Sequence, residues 1–169
     1  MDAVDRFVAD ALVALRAAAA EPGPAAILWT RDREGLALAG LVQTAFAGPG
    51  PFTVLVEPTA PAATAGWRER LARSWDLELV RLAAPPDCPG PLGTMPGERL
   101  DRHRGRWEPL AAGPFPVQVL GLRADVDGDG ASGMAVTRHP GGSRHHPISD
   151  WDDALLEAWI ARLGVGQPG

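Results

Sequence analysis

Apolar residues recur every three or four positions in four stretches of the chain, a spacing that predicts amphipathic helices. These stretches are residues 2–20, 36–46, 62–76 and 149–164. Short continuous apolar runs bounded by turn residues lie between them and predict buried parallel strands. The runs are residues 25–30, 51–58, 77–82 and 116–123, and residues 133–138 add a candidate edge strand. The spacing of Ser149 and Asp152 further predicts a capping box at the start of the last helix.

Alternating strands and helices predict an α/β fold, in which a mostly parallel sheet is covered by helices. We expect three layers, with about five strands and helices on both faces. At 169 residues the chain is long enough for a single domain with its own core. Residues 83–115 are rich in proline, glycine and arginine and predict a long loop region. Residues 165–169 are expected to be a flexible tail.

Composition removes several kinds of chemistry. All 16 basic residues are arginine, and the chain contains no lysine or tyrosine. A P-loop lysine, a Schiff-base enzyme and a tyrosine acid or base are therefore excluded. One cysteine, Cys88, excludes an internal disulfide, a CxxC redox pair, a four-cysteine zinc site and a self-contained iron–sulfur cluster.

Charge and hydropathy narrow the class of partner. A net charge of −5 argues against a general nucleic-acid binder, because affinity for phosphate backbones needs a basic face. The longest apolar runs fall short of the ~20 residues of a membrane span, and the N-terminal helix is acidic rather than a basic signal peptide. We expect a cytoplasmic protein with neither a nucleic-acid nor a membrane partner.

The turn after the first predicted strand is a candidate anion site. Residues 30–35, TRDREG, join that strand directly to a helix, and helix N-termini at such turns favour anions. Only glycine lets the backbone wrap closely round a phosphate, and the turn has a single glycine at its end. A solvated strand-to-helix turn is thus the alternative to an anion site here.

Five segments together resemble the phosphoadenosine phosphosulfate reductase family and the small subunit of bacterial ATP sulfurylase, which share a PP-loop, adenine nucleotide alpha-hydrolase-like fold. Residues 26–46 resemble the opening strand, the pyrophosphate loop and the first helix, and residues 51–80 the next strand, helix and strand. The segment WEPL at 107–110 resembles a Val-Glu-Pro-Leu motif. GLRADVDG at 121–128 and HPISDW at 146–151 resemble a strand end and a helix entry of the family.

The resemblance implies how the residues of the loop correspond to the family's Ser-Gly-Gly-Lys-Asp-Ser motif. Thr30 falls on the first serine, Arg31 and Asp32 on the glycines, Arg33 on the basic residue, Glu34 on the aspartate and Gly35 on the last serine. Thr59 lies in the segment that resembles the Asp-Thr-Gly turn. The nucleotide- or anion-binding residues are then expected to be Thr30, Arg31, Asp32, Arg33, Glu34, Gly35, Thr59, Arg123, Arg144 and His146.

Two departures from the family leave the expected fold unchanged but argue against the family's activity. Side chains replace both loop glycines, and the Asp32 carboxylate would repel a phosphate by roughly 1–4 kcal/mol. The reductases carry a nucleophilic C-terminal cysteine, whereas Cys88 lies mid-chain. We therefore expect a degenerate member, a noncatalytic or accessory subunit that binds ATP or a sulfonucleotide weakly at most. The alternative is an active enzyme of sulfur or nucleotide metabolism that uses arginine side chains in place of the glycine loop.

Other clusters carry weaker expectations. The segment 125–130 matches half a calcium loop but lacks the bidentate glutamate at position twelve, so an acidic turn without metal is expected. The arginine-rich segment 99–106 predicts a solvated helix face, and the alternatives are binding of a substrate phosphate, of a partner's acidic face or of nucleic acid. An interaction module that docks a protein partner or a second copy is a third possibility. Just before the last helix lies a charged segment expected to be a solvated loop, with anion or metal binding as alternatives, namely Arg138, His139, Arg144, His145 and His146.

Overall fold

A computed structural model describes residues 2–30, 32–46, 50–56, 62–81, 115–123, 136–139 and 141–166. It contains four helices in these ranges: α1 (Ala3–Ala20), α2 (Arg33–Phe46), α3 (Ala62–Ser74) and α4 (Asp153–Leu163). The described strands are β1 (Ala25–Trp29), β2 (Phe52–Val56), β3 (Leu79–Arg81), β4 (Val117–Val119), β5 (Val136–His139) and β6 (Gly142–His145). The predicted loop region up to residue 114, Cys88, the segments 99–106 and 125–130 and the tail from residue 167 lie outside the described residues.

The strands form one mostly parallel sheet in the order β3-β2-β1-β4-β6-β5. Every neighbouring pair is parallel except β5 and β6, which form an antiparallel hairpin at one edge. The predicted α/β fold with a mostly parallel sheet is therefore confirmed. The described residues contain six strands where the pattern predicted about five, and the additional one is β6.

Strand β6 corrects the expectation that residues 138–146 form a solvated loop. Its hydrophilic residues are paired with the end of α1 and with β4. Ser143 and His145 contact Glu21, and Arg144 Nε donates to Gln118 Oε1 of β4 at 3.0 Å. The strand begins at Gly142, where a Cβ would lie 1.9 Å from the Pro116 carbonyl oxygen and φ is 153°. Only glycine allows this close approach to the residue that precedes β4.

The two faces of the sheet bury different sets of apolar residues. Alternation along β1 directs Ile27 and Trp29 to one face, where a single core joins residues from all four described helices. Leu28 of β1 and Leu55 of β2 point to the opposite face and are also buried. The four described helices contribute to the first face, and among the described residues no helix contributes to the apolar cluster on the second.

Aspartates begin three of the helices. Asp2 forms a capping box with Asp5 at the start of α1. The expected capping box of Ser149 and Asp152 is wrong, because Asp152 is itself the N-cap of α4 and accepts from the Leu155 amide at 2.8 Å. Helix α4 ends at Gly164, as predicted, with a left-handed φ of 64°. Helix α2 starts three residues before its predicted start, because Asp32 supplies its cap.

Candidate functional site

The candidate site lies at the carboxyl ends of β1 and β4, two adjacent parallel strands. The sheet grows from β1 to β2 and β3 on one side and from β1 to β4 and β6 on the other. In open α/β sheets, the crevice at such a switch point is where ligands bind. Thr30 follows β1 here, and Arg123 follows β4.

Asp32 occupies the N-terminus of α2 with its own carboxylate. Oδ1 of Asp32 accepts a hydrogen bond from the Gly35 amide at 2.9 Å, and the Thr30 hydroxyl donates to the same oxygen. The amides of a helix N-terminus are the groups that hold a bound phosphate in many α/β proteins. An internal carboxylate therefore takes one of the amides that would serve an external anion.

Gly35 lies directly against the end of β1. A Cβ built on Gly35 would lie 2.3 Å from the Thr30 carbonyl oxygen and 2.6 Å from the Thr30 amide nitrogen. Real Cβ atoms do not approach backbone so closely, so a serine could not occupy this position unless the turn moved. Thr30, at the end of β1, is consequently packed tightly against the first turn of α2.

Arg123 is completely buried and lies between two carboxylates. Its Nη1 atom is 2.8 Å from Oδ1 of Asp153 and 3.4 Å from Oε1 of Glu34, which is itself buried on α2. The hydrogen bond from Arg123 is the main reason why the pKa of Asp153 lies below its usual value. Burial of the guanidinium requires this compensation, because an unpaired charge in the interior is strongly unfavourable.

Arg33, in the first turn of α2, extends the same network to the surface. Nη2 of Arg33 donates to Oδ1 of Asp153 at 3.1 Å, and Nη1 donates to Glu157. The hydrogen bond with Glu157 raises the pKa of Arg33 above its ordinary value. Oδ1 of Asp153 therefore accepts from two guanidinium groups, one buried and one exposed.

Asp153 and Glu157 were not predicted as part of the site. They stand four residues apart in α4, a spacing that places both on one face of a helix. The HPISDW resemblance ends two residues before Asp153, at Trp151. The i, i+4 pair of acids after it is the signal that could have indicated a cation facing this helix.

The remaining expected site residues do not all gather here. Arg31 and Thr59 lie outside the described residues. Arg144 and His146 lie in and just after β6, which is two strands away from β1. His146 is buried, its Nε2 is 3.2 Å from the Thr137 hydroxyl, and burial lowers its pKa to about 4.

A second polar cluster lies at the other end of the sheet. Ser143 donates to Oε2 of Glu21 at 2.6 Å, and Nε2 of His145 is 2.8 Å from Oε1 of Glu21 and 3.4 Å from the Ser143 hydroxyl. A catalytic histidine uses one ring nitrogen for the serine and the other for the carboxylate. Here Nε2 meets both, and Ser143 is fully buried. The cluster therefore ties β6 to the end of α1 and lacks the geometry of a hydrolase triad.

Within the described ranges, no group of three His, Cys, Asp or Glu side chains is placed to hold a metal ion. The helices described in those ranges are also too short or too polar to cross a bilayer.

Comparison with known proteins identifies the fold. No family model matches the sequence, and a search of curated proteins finds no match. Among solved structures, phosphoadenylyl-sulfate (PAPS) reductase from Candida auris, a phosphate complex, is similar with a TM-score of 0.60 and 13% identity. The match covers 98% of this chain and 87% of the reductase.

Two further similar structures are an NAD synthetase and an FMN adenylyltransferase. NH3-dependent NAD synthetase from Campylobacter jejuni, in complex with a nitrate ion, has a TM-score of 0.63 at 12% identity, over 98% of this chain and 75% of that one. FMN adenylyltransferase from Candida glabrata has a TM-score of 0.58 at 11% identity, and the match spans 93% of this chain but 56% of the transferase. This chain thus shares the α/β fold of these three structures, which is the fold that its sequence resemblance predicted.

Proposed function

We propose that this chain is a noncatalytic, accessory protein with a PAPS reductase-like fold, whose nucleotide site has degenerated and binds adenine nucleotides weakly at most. Its role is then carried out through a protein partner or a second copy of the chain. The observation that carries the proposal is the capping of α2 by the Asp32 carboxylate.

The cap opposes phosphate binding in two ways. The Gly35 amide already donates to Asp32, so an incoming phosphate would have to displace that hydrogen bond. The carboxylate also repels a phosphate at contact distance by about 1–4 kcal/mol, depending on the effective dielectric constant. A phosphate group would regain only part of this from the helix dipole, which contributes about 0.3–1 kcal/mol at exposed sites.

The arginines do not offset this loss. Arg33 and Arg123 are the basic side chains that could replace a glycine loop by holding phosphate oxygens bidentately. Both already donate to Asp153, and Arg33 also donates to Glu157. With Glu34, the cluster comprises two guanidinium groups and three carboxylates, an arrangement that favours neutral or cationic neighbours over a polyphosphate.

Residual anion affinity is supported by the fold. The similar PAPS reductase is a phosphate complex and the similar NAD synthetase a nitrate complex, so this fold accommodates anions in both proteins. At 11–13% identity, however, the comparison extends to the fold alone. The substrates of those enzymes are therefore not transferred to this chain.

A turnover assay tests the proposal. The protein is incubated with ATP or adenosine 5′-phosphosulfate at millimolar concentration, with and without Mg²⁺ and a thiol reductant, and products are separated by ion-exchange chromatography. We expect no product above the rate without protein. Product formation that disappears in Arg33→Ala would contradict the proposal and would favour the alternative, an active enzyme that uses arginines in place of the loop.

The accessory role has its own test. Affinity purification of the tagged chain from its native host should recover a stoichiometric protein partner, or light scattering should show a dimer or larger assembly. A monomer that recovers no partner under several salt conditions would contradict an accessory role.

A further inference from the structure

Asp153 is the boundary between a buried cation and solvent. The side chain of Arg123 is 0% exposed, whereas that of Asp153 is 68% exposed, although the two are hydrogen-bonded. Arg33 approaches the same carboxylate from the surface and is 43% exposed. A well-solvated carboxylate is therefore shared by the two guanidinium groups, one buried and one exposed.

The geometry at Oδ1 of Asp153 is that of an anion in a two-arginine site. One oxygen accepts from Nη1 of Arg123 at 2.8 Å and from Nη2 of Arg33 at 3.1 Å. Phosphate and sulfate oxygens are held by paired guanidinium groups in the same manner. The carboxylate carries one negative charge, whereas a phosphate or sulfate dianion would bring two to the same pair of cations.

We propose that Asp153 acts as a resident anion that closes a phosphate- or sulfate-binding site formed by Arg33 and Arg123. The inference deepens the proposed function, on which it rests, by naming the side chain that blocks the degenerate site. The site would open by rotation of the Asp153 side chain, which is 68% exposed. Arg123 would keep Glu34 as a partner, and the incoming dianion would take the place of the Asp153 carboxylate beside the buried guanidinium.

The neighbouring acids determine what the open site would accept. Glu34 remains 3.4 Å from Arg123 and balances its charge from the interior. Glu157 forms an ion pair with Arg33, and its side chain is 53% exposed, so it can rotate into solvent when an anion binds Arg33. The occupant with the most favourable charge is then a small dianion, either inorganic sulfate or a phosphate group, rather than an extended polyphosphate that would meet Glu157 and Asp32 as well.

Neutralising Asp153 tests whether its carboxylate blocks phosphate binding by Arg33 and Arg123. We would titrate inorganic phosphate into isotopically labelled wild type and into Asp153→Asn at pH 7.5, following the arginine Nε–Hε signals by NMR at constant ionic strength. We expect the variant to bind phosphate at least about tenfold more tightly, because the competing charge is gone. Asp150→Asn is the matched control: it removes an exposed aspartate three residues away and should bind phosphate like wild type.

A double variant assigns the gain to the arginines. Arg33→Gln combined with Asp153→Asn should return the affinity to the wild-type value. Asp153→Ser provides a second neutral variant, and thermal melts establish that each variant is folded. Equal phosphate affinity of Asp153→Asn, Asp153→Ser and Asp150→Asn would contradict the proposal that the Asp153 carboxylate blocks the site. This outcome is distinct from failure of the proposed function, which is measured as turnover by wild type.

A comparison of ligands identifies the source of the dianion. Adenosine 5′-monophosphate and inorganic phosphate carry the same terminal group, so both should bind tighter to Asp153→Asn than to wild type. A larger gain for the nucleotide would identify a nucleotide monophosphate end as the occupant, and equal gains a free phosphate. A gain reproduced by chloride would contradict a site built for a dianion.

Discussion

Oδ1 of Asp153 lies 2.8 Å from Nη1 of Arg123, although the two residues are 30 positions apart in the chain. The contact joins the first residue of α4 to the end of the β4 segment, next to the first turn of α2. It has two consequences, one for stability and one for binding. The buried guanidinium needs the carboxylates to balance its charge in the interior. The same carboxylates take up the hydrogen bonds that the guanidinium could otherwise donate to an anionic ligand.

The burial of Arg123 predicts a large loss of stability on its removal. Arg123→Leu should lower the free energy of unfolding by about 3–5 kcal/mol, because Glu34 would stay buried without its arginine. Arg162→Leu is the matched control, since Arg162 also contacts two carboxylates, Asp2 and Asp5, but is 39% exposed. It should lose about 1 kcal/mol or less. Urea denaturation gives both values, and similar losses for the two variants would contradict the assigned role of burial.

The contact of Gly35 with the Thr30 backbone predicts a different kind of defect. Gly35→Ala should lower the free energy of unfolding by about 2–3 kcal/mol, because its Cβ would meet the carbonyl oxygen of Thr30 at 2.3 Å. Gly66→Ala, in α3, meets only the end of the Arg70 side chain at 3.5 Å. It should stabilise the protein by about 0.5–1 kcal/mol through helix propensity. A Gly35→Ala variant as stable as wild type would mean that the turn is looser than described.

Two variants of Asp32 separate the contribution of its negative charge to stability from that of its hydrogen bond to the Gly35 amide. Asp32→Ala should lower the free energy of unfolding by about 1 kcal/mol, because the Gly35 amide loses its acceptor. Asp32→Asn should stay close to wild type, since asparagine caps helices about as well as aspartate. Thermal and urea unfolding of both variants provide the measurement. An equal loss in the two would indicate that the negative charge, rather than the cap, stabilises this turn.

His146 predicts a pH-dependent loss of stability. Burial lowers its pKa to about 4, whereas the unfolded chain has the ordinary value of 6.5. At pH above 6.5 the ring is neutral in both states and has no effect. As the pH falls toward 4, the unfolded state binds a proton that the folded state does not, so the free energy of unfolding decreases, by on the order of 3 kcal/mol in full.

The pH range distinguishes this effect from that of the carboxylates. Asp153 and Glu21 also have lowered pKa values, but their losses begin only about one pH unit above the usual values of 3.8 and 4.5 and grow below them. We therefore assign the decline between pH 6.5 and about 5.5 to His146. In His146→Gln this part of the stability curve, measured by urea denaturation at half-unit steps, should be flatter than in wild type. An unchanged slope would assign the decline to another group.

The sequence pattern predicted the parts of the fold in which local periodicity and burial agree. Helix α1 and strand β1 have the expected period and bounds within one residue, because their apolar residues face a single core. Strand β6 was missed because its residues, GSRH, are polar in sequence. Its burial depends on partners that come from distant positions, Glu21 and Gln118, which no local pattern reveals.

The site was predictable in its place but not in its pairing. The strand-to-helix turn at Thr30 correctly indicated the carboxyl edge of the sheet, because that position follows from topology. The pairing of Arg33 and Arg123 with acids of α4 was not foreseen, because long-range ion pairs depend on how the helix packs rather than on spacing near the arginines. The Asp32 cap carried a local signal, an aspartate just before a helical run, which predicts an N-cap.

The central claim, that internal carboxylates occupy the site, is tested most directly by the affinity of the wild-type protein for adenosine 5′-phosphosulfate. The measurement is isothermal titration calorimetry at pH 7.5 and physiological ionic strength. We expect a dissociation constant of about 1 mM or weaker, and 1 mM corresponds to a binding free energy of about −4 kcal/mol. A micromolar dissociation constant that is lost in Arg33→Ala would contradict it.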